Sequence, residues 1–277
     1  MFIERLNRVI EEKNSLVCVG LDTDIERIPP FLLNERDPLL IFNREIIQAT
    51  REYAVAFKLN IAFYESLGIP GWKLLEKTLR MIPSDTLIIA DAKRADIGNT
   101  ARKYAETYFQ TYAFDAMTVS PYMGSDSVIP FLEFHDRGVF VLCLTSNPGS
   151  RDFQYLTVDS EPLYMAVARQ VNEWHLEYGN CGLVVGATHP EDMGSIREIA
   201  PGLPLLIPGI GAQGGNLYTA VQFGTDRKGK NALIAASRSI LYASSGHDFA
   251  RAAAQAAREL KENINRIRRL KSGYLLR

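Results

Sequence analysis

The sequence has few of the residues that build disulfide frameworks or metal sites. Among its 277 residues are three cysteines, Cys18, Cys143 and Cys181, without a CxxC pair, and four histidines without metal-ligand spacing. The cysteines lie in apolar, strand-like runs and their number is odd. We therefore expect buried, reduced thiols and no metal site, which excludes a disulfide-stapled secreted domain.

Long apolar runs and an excess of one charge are also missing. No stretch approaches the roughly 18 apolar residues that a membrane helix requires, and residues 1–15 carry acidic side chains, unlike a signal peptide. The net charge of −1 provides no overall basic field for nucleic acid, so a small anionic ligand would need local cations. We expect a cytoplasmic protein that binds neither membrane nor nucleic acid.

Short apolar runs alternate with longer amphipathic stretches along the chain. Continuous apolar character predicts strands buried on both faces, as in parallel sheets. The eight predicted strands are Leu16–Leu21, Ala54–Leu59, Leu87–Ala90, Asp115–Val119, Val139–Leu144, Gly182–Val185, Leu205–Pro208 and Ala232–Ala236.

Helical spacing predicts helices at Pro38–Glu52, at Asp96–Gln110 with Asp96 as its cap, and at Ser160–Glu177 and His247–Leu270. Strands that alternate with helices indicate βαβ units. Eight such units without a linker favour a closed barrel over a doubly wound sheet. The predicted fold class is α/β, a single (β/α)8 TIM-barrel domain over residues 1–277 with a short N-terminal helix and a C-terminal helical extension.

Polar residues crowd the predicted carboxyl ends of the strands, where barrel enzymes carry their function. Side chains alternate along a strand, so Asp91 and Lys93 should point the same way. If they point inward, they meet Asp22 and Lys58 at the barrel mouth. A salt-bridge network that closes the barrel would explain any one of these charges, but four charges at three strand ends favour a functional site.

A second polar region follows the seventh and eighth predicted strands. Gly209, Gly211 and Gly214 form a GxGxxG pattern, but a dinucleotide fingerprint belongs in the first βα turn of a Rossmann unit. Glycines after strand seven and an arginine in Ser237-Arg238-Ser239 after strand eight instead predict a phosphate cradle. The alternative is a pair of glycine turns with a surface arginine.

The segment Asp91-Ala-Lys-Arg-Ala-Asp-Ile-Gly-Asn-Thr100 resembles the DxKxxDIxxT signature of orotidine 5′-phosphate decarboxylases. Val19–Asp22, Phe57-Lys58, Thr145–Gly149 and the two phosphate turns resemble that family in the same order, so the likeness spans roughly residues 16–240. Asn60–Glu65 and Ser120–Gly124 are similar to its longer bacterial (type 2) branch.

The resemblance implies a metal-free and cofactor-free decarboxylation of orotidine 5′-phosphate to UMP in pyrimidine biosynthesis. Lys93 would deliver a proton to pyrimidine C6, Asp91 would lie beside the substrate carboxylate, and Lys58 would hold Asp91 and the ribose hydroxyls. Asp96 and Thr100 would reach across a homodimer interface into the partner's site.

The resemblance also implies the substrate-binding residues. Asp22 would bind ribose, and Ser146 would contact the pyrimidine, with Thr145 as the alternative. The residues implied for the phosphate are Gln213 and Arg238, with Gly211 and Ser237 in the two turns.

Three other functions remain open at this stage. Ketogulonate-phosphate decarboxylases and hexulose-phosphate synthases share DxKxxD but hold Mg²⁺ partly through an acidic residue where this chain has Lys58, and a cation there opposes metal binding. A non-catalytic phosphoribosyl-ligand sensor would keep Arg238 but tolerate loss of Lys93. A Schiff-base aldolase needs an uncharged lysine, which Asp91 and Asp96 beside Lys93 disfavour.

Overall fold

Eight parallel strands close into one barrel in the computed structural model, which describes residues 1–210 and 214–274, with backbone only for 272–274. Each strand pairs with its sequence neighbours, and the first pairs with the last. The strands are β1 (Val17–Gly20), β2 (Ala54–Asn60), β3 (Leu87–Arg94), β4 (Ala116–Val119), β5 (Gly138–Leu144), β6 (Cys181–Val185), β7 (Leu205–Ile207) and β8 (Ala232–Ala236). The predicted barrel and all eight predicted strands are confirmed.

Helices alternate with the strands and surround the barrel. They are α1 (Phe2–Lys13), α2 (Pro38–Thr50), α3 (Ile61–Glu65), α4 (Ile69–Leu79), α5 (Gly98–Glu106), α6 (Ile129–Leu132), α7 (Leu163–Tyr178), α8 (Pro190–Ile199), α9 (Leu217–Gly224), α10 (Arg238–Leu241) and α11 (Phe249–Tyr274). A short antiparallel pair, Thr157–Val158 with Glu161–Pro162, lies between β5 and α7. The four predicted helices correspond to α2, α5, α7 and α11.

One predicted helix start is wrong. Asp96 is not the cap of α5, because that helix begins at Gly98 and Ile97 occupies the cap position. The Asp96 carboxylate accepts a hydrogen bond of 2.8 Å from the backbone N–H of Ile97, its direct neighbour, instead of one inside the first turn. The helix continues beyond Glu106 as a π-helical turn over Thr107–Thr111.

Helix α1 closes the bottom of the barrel, at the amino ends of the strands. Phe2 is 2% exposed, and a Cβ on Gly138 at the start of β5 would lie 2.4 Å from its ring. Arg5 donates to Asp115 just before β4, and Asp115 also accepts from Ile88 N at 2.9 Å. Because α1 covers the amino end of the barrel, a ligand-binding site is expected at the carboxyl end.

Helix α11 packs across the seam where β8 meets β1. Its Phe249 ring stacks on Phe42 of α2 with centroids 5.3 Å apart. Near its other end, Lys271 Nζ donates to the carbonyl oxygens of Gln222 at 2.7 Å and Thr225 at 2.9 Å. The predicted C-terminal extension therefore packs against both α2 and α9.

The three cysteines are buried, as the sequence predicts, and burial raises the pKa of Cys18 and of Cys181 to about 12. Across residues 1–210 and 214–274, no helix has both the length and the apolar character needed to cross a membrane.

Candidate active site

A cavity of about 430 Å³ opens at the carboxyl ends of the barrel strands. That volume is within the range of small-molecule sites. All four charges predicted to converge, Asp22, Lys58, Asp91 and Lys93, line this cavity. Its other lining residues are Asn60, Thr118, Leu142, Thr145, Ser146, Asn147, Val184, Leu206, Pro208, Gly209, Ile210, Ala235, Ser237 and Arg238.

The cavity floor carries a chain of alternating charges. Lys58 is 5% exposed, and its Nζ lies 2.6 Å from Asp91 Oδ2 and 3.9 Å from Asp22 Oδ1. Lys93 Nζ contacts the other carboxylate oxygen, Asp91 Oδ1. Asp91 therefore lies between two ammonium groups, and Lys58 lies between two carboxylates.

The mutual attraction of these groups outweighs the cost of burying them. Burial acts to raise the pKa of Asp91, but Lys58 and Lys93 together hold it far below the ordinary carboxyl range. Burial acts to lower the pKa of Lys58, yet Asp22 and Asp91 raise it above the usual lysine value. Asp91 and Lys58 are therefore both charged at neutral pH.

The backbone at Lys93 does not follow the alternation that the sequence predicts. Its φ is +46°, and the pairing of β3 with β4 becomes irregular after Ala90. The Lys93 N–H donates to Thr118 Oγ1 at 2.9 Å, and that hydroxyl donates to Asp91 Oδ1 at 3.1 Å. The predicted meeting of Lys93 with Asp91 is confirmed, but a local irregularity and Thr118 produce it rather than strand parity.

Sequence reasoning missed Thr118. Its only signal is a polar residue inside the apolar strand β4, where it is 1% exposed. A buried hydroxyl requires hydrogen-bond partners, and the backbone of Lys93 and the carboxylate of Asp91 provide them.

Asp22 lies two residues beyond β1, and Tyr242, the residue after α10, holds its backbone in place. The phenol of Tyr242 donates to Asp22 O at 3.1 Å and accepts from Asp24 N at 2.9 Å. Asp22 Oδ1 is buried and makes no hydrogen bond with any described residue. This acceptor is suited to a ligand hydroxyl.

Both residues that follow β5 reach the cavity, and they differ in how their hydroxyls are used. Thr145 Oγ1 donates to Asn147 Oδ1 at 2.7 Å and accepts from Gln154 Nε2 at 2.9 Å. Ser146 packs on Gly186, where a Cβ would lie 2.7 Å from Ser146 Oγ. Because the Thr145 hydroxyl is already satisfied, the geometry favours Ser146 as the residue that contacts a ligand.

The loops after β7 and β8 form the opposite wall. Gly209 and Gly214 have φ values of +99° and +81°, a backbone conformation that glycine adopts without strain. Gly211 and Gln213, predicted to hold phosphate, lie outside the described residues. Arg238 is exposed at the cavity, and Ser237 packs so closely on Gly20 that a Cβ there would be 1.8 Å from Ser237 Oγ.

Asp96 and Thr100 are not among the residues around this cavity. Asp96 is half-buried and Thr100 is exposed at the start of α5. One chain therefore does not bring Asp96 and Thr100 to its own cavity.

A closed parallel barrel with an acid–base array at the carboxyl ends of its strands defines the class of (β/α)8-barrel enzymes. Comparison with known proteins narrows the class. The family model described as "Orotidine 5'-phosphate decarboxylase / HUMPS family" matches residues 15–256. The chain belongs to this family.

Relatives match over nearly their whole length. An orotidine 5′-phosphate decarboxylase of Dehalococcoides mccartyi is 48% identical over 272 residues, which cover 97% of this chain and 98% of that protein. One from Thermomicrobium roseum is 46% identical, with 98% of each chain covered. The solved structure of Leishmania donovani OMP decarboxylase superposes with a TM-score of 0.85 at 40% identity, covering 96% of this chain and 98% of the other.

Proposed function

We propose that this protein converts orotidine 5′-phosphate to UMP and CO₂, a carboxy-lyase step of pyrimidine nucleotide synthesis, without a metal ion or cofactor. The observation that carries the proposal is the Lys58–Asp91–Lys93 array on the floor of a cavity whose opposite wall presents Arg238. The full-length relatives named above support the same reaction.

The charges suit a reaction that has no electron sink. When the bond from pyrimidine C6 to the carboxylate breaks, CO₂ leaves and the electron pair stays on C6 as a vinylic carbanion. Lys93 Nζ would stabilise that charge and transfer its proton to C6, giving UMP and a neutral amine that water reprotonates. Fixed charges that face the site where charge develops stabilise a transition state without reorganisation.

Asp91 and Lys58 would orient the array. The carboxylate of Asp91 contacts both ammonium groups and would direct Lys93 Nζ toward the reacting carbon. Asp91 would also lie beside the substrate carboxylate and repel it, a repulsion that ends when CO₂ departs. Lys58 would neutralise the charge of Asp91. Asp22 Oδ1 would accept a hydrogen bond from a ribose hydroxyl.

The phosphate would bind between the loops after β7 and β8. Arg238 is the cation of that wall, and a guanidinium with neighbouring hydroxyl and backbone donors suits a phosphate dianion. Ser237 is fixed against Gly20 and would contribute one such donor. Gln213 and Gly211 would also bind the phosphate, as the sequence predicts.

We further propose a homodimer with shared active sites, in which Asp96 and Thr100 complete the partner's array. An exposed apolar side chain between these two residues supports a covered face: Ile97, next to Asp96, is 52% exposed. The cytoplasmic location stays a prediction from the sequence.

The Mg²⁺-dependent phosphosugar reaction fits this site less well. The ammonium of Lys58 lies 2.6 Å from Asp91 and 3.9 Å from Asp22, so it occupies the space between the two carboxylates. A divalent cation between them would face this fixed positive charge. The non-catalytic sensor does not explain why Lys93 is held in contact with Asp91.

The test is turnover of orotidine 5′-phosphate in excess EDTA, with loss of the orotate absorbance followed and UMP identified as product. We expect turnover that EDTA leaves unchanged. Folded protein that leaves orotidine 5′-phosphate intact but acts on phosphosugars with added Mg²⁺ would refute the proposal. Tight binding of UMP without any turnover would favour the sensor.

A further inference from the structure

We propose that Gln154 and His189 are positioning residues that hold Ser146 against the pyrimidine of the substrate. The inference rests on the proposed function, because that function gives Ser146 a base to contact. Neither Gln154 nor His189 lines the cavity, so both would act through Thr145, the residue that precedes Ser146.

Thr145 has each of its polar groups held by a side chain from another part of the chain. Its backbone N–H donates to Gln154 Oε1 at 2.8 Å, and its hydroxyl accepts from Gln154 Nε2 at 2.9 Å. Its carbonyl oxygen lies 3.2 Å from His189 Nε2. The N–H and the C=O belong to the two peptide planes on either side of Thr145, so both planes are held in orientation, and the second of them carries the backbone nitrogen of Ser146.

Ser146 is restricted from its other side by Gly186, just after β6. A Cβ on Gly186 would lie 2.7 Å from Ser146 Oγ and 2.8 Å from Ser146 N. The Gly186 N–H donates to Leu144 O at 2.7 Å, which keeps the two chain segments in register. Ser146 therefore cannot move toward β6. A shift of Thr145 would instead turn the Ser146 hydroxyl within the cavity.

His189 is itself held by a half-buried polar network. Its Nδ1 lies 2.9 Å from the phenol oxygen of Tyr155, which donates to Asp192 Oδ2 at 2.6 Å. Tyr164 donates to the other carboxylate oxygen at 2.7 Å. Burial, together with Asp192, raises the pKa of both phenols, so they remain protonated donors. His189 Nε2 is directed at a carbonyl oxygen, which can only accept a hydrogen bond, so Nε2 carries a hydrogen in this contact.

The network joins two loops of the barrel mouth. Gln154 and Tyr155 belong to the segment between β5 and α7, and His189 and Asp192 belong to the loop after β6 and the first turn of α8. The ring of Tyr155 also contacts those of Tyr164, at 5.4 Å between centroids, and His189, at 5.8 Å. Both loops must be in place for Thr145 to hold Ser146, which makes contact with the base depend on their arrangement.

Loss of these contacts should affect binding of the pyrimidine base and not of the ribose phosphate. Loss of the Gln154 or His189 contact should weaken ligands that contain a pyrimidine and leave ligands that contain only ribose and phosphate unchanged. A lost hydrogen bond of about 1 kcal/mol corresponds to roughly a fivefold effect, and a bond whose buried partner is left unsatisfied to about tenfold or more.

The experiment compares matched variants at each position. His189→Leu removes the donor to Thr145 O, whereas His189→Gln keeps an N–H at a similar distance from the backbone. Gln154→Leu removes the acceptor for Thr145 N, whereas Gln154→Glu keeps it. We expect kcat/KM for orotidine 5′-phosphate to fall about tenfold in the leucine variants and by less than about threefold in the other two, with similar melting temperatures.

Two further measurements separate positioning from general damage. In a Ser146→Ala background, His189→Leu should change kcat/KM by less than about twofold, because residues that act through one another are not additive. The Kd of UMP should rise in the leucine variants while the Kd of ribose 5-phosphate stays within about twofold.

Failure of this inference differs from failure of the proposed function. Wild-type protein that does not decarboxylate orotidine 5′-phosphate would overturn the function, and equal Kd changes for UMP and ribose 5-phosphate would then overturn the positioning role as well. An active wild type whose His189→Leu effect persists in the Ser146→Ala background would overturn the positioning role alone. Equal activity of the leucine and glutamine variants at 189 would do the same.

Discussion

Removal of the Lys58 ammonium tests whether the array is held together by charge. Lys58→Met keeps an unbranched side chain, one atom shorter, but leaves Asp91 and Asp22 without their shared cation, 2.6 Å and 3.9 Å away. Lys58 is 5% exposed, so solvent screens the loss little. Removing one partner of a buried ion pair costs about 3–5 kcal/mol. At about 2–4 °C for each kcal/mol, the melting temperature should fall by about 6–20 °C at pH 7.

The destabilisation caused by Lys58→Met should depend on pH. The pKa of Asp91 is depressed in the folded protein, so its ionisation stabilises the fold above the ordinary carboxyl pKa of about 3.9 and is lost as pH falls through the lower folded pKa. Without Lys58 that depression shrinks, and protonation relieves the unpaired charge at higher pH. The difference in melting temperature between wild type and variant should therefore be constant near neutral pH and narrow as pH falls from about 5 to about 3, through the ordinary carboxyl pKa.

Thermal melts of wild type, Lys58→Met and Lys77→Met across that pH range make the test. Lys77 pairs with Asp37 at 3.5 Å, but both side chains are 53% exposed, so its loss should cost about 0–1 kcal/mol. A Lys58→Met protein that melts at or above the wild-type temperature would refute the reasoning. So would a difference that stays constant down to about pH 3.

Two further predictions address the phosphate wall and the sealed end of the barrel. Arg238→Ala should raise KM for orotidine 5′-phosphate by about 10–100-fold, the cost of a charge-assisted hydrogen bond, whereas Arg44→Ala on the exposed face of α2 should leave KM unchanged in the same steady-state assay. An unchanged KM in Arg238→Ala would contradict the phosphate role. Phe2→Ala should destabilise the fold by about 3–5 kcal/mol in urea unfolding, because Phe2 is 2% exposed. Its kcat should not change, since it lies at the opposite end of the barrel from the cavity, and an unaltered unfolding midpoint would show that α1 does not seal the barrel.

The sequence predicts the barrel well because its strands are buried on both faces. Such strands are continuous apolar runs, and their polar ends are conspicuous for the same reason. Asp91 lies at a strand end that the pattern locates, and Lys58 joins it because parallel strands bring their carboxyl ends to one mouth. The same logic placed Asp22 and Ser146 at the cavity.

Features that depend on one backbone angle or on long-range contact were not predictable. The φ of +46° at Lys93 and the role of Thr118 arise from an irregular pairing of β3 with β4 that no spacing reveals. The cap assigned to Asp96 was wrong because capping depends on the residue at which the helix begins, and α5 begins at Gly98. The hold of Tyr242 on Asp22 joins positions 220 residues apart, beyond any local pattern.

The most direct test of the central claim is the decarboxylation rate of Lys93→Ala, measured in EDTA. The control is Lys73→Ala, which removes an exposed lysine of α4. Both variants should melt at the wild-type temperature. If Lys93 stabilises the charge at C6 and delivers the proton, kcat/KM for orotidine 5′-phosphate should fall by at least about 100-fold in Lys93→Ala and stay at the wild-type value in Lys73→Ala. A folded Lys93→Ala protein that produces UMP within about tenfold of the wild-type rate would contradict that role.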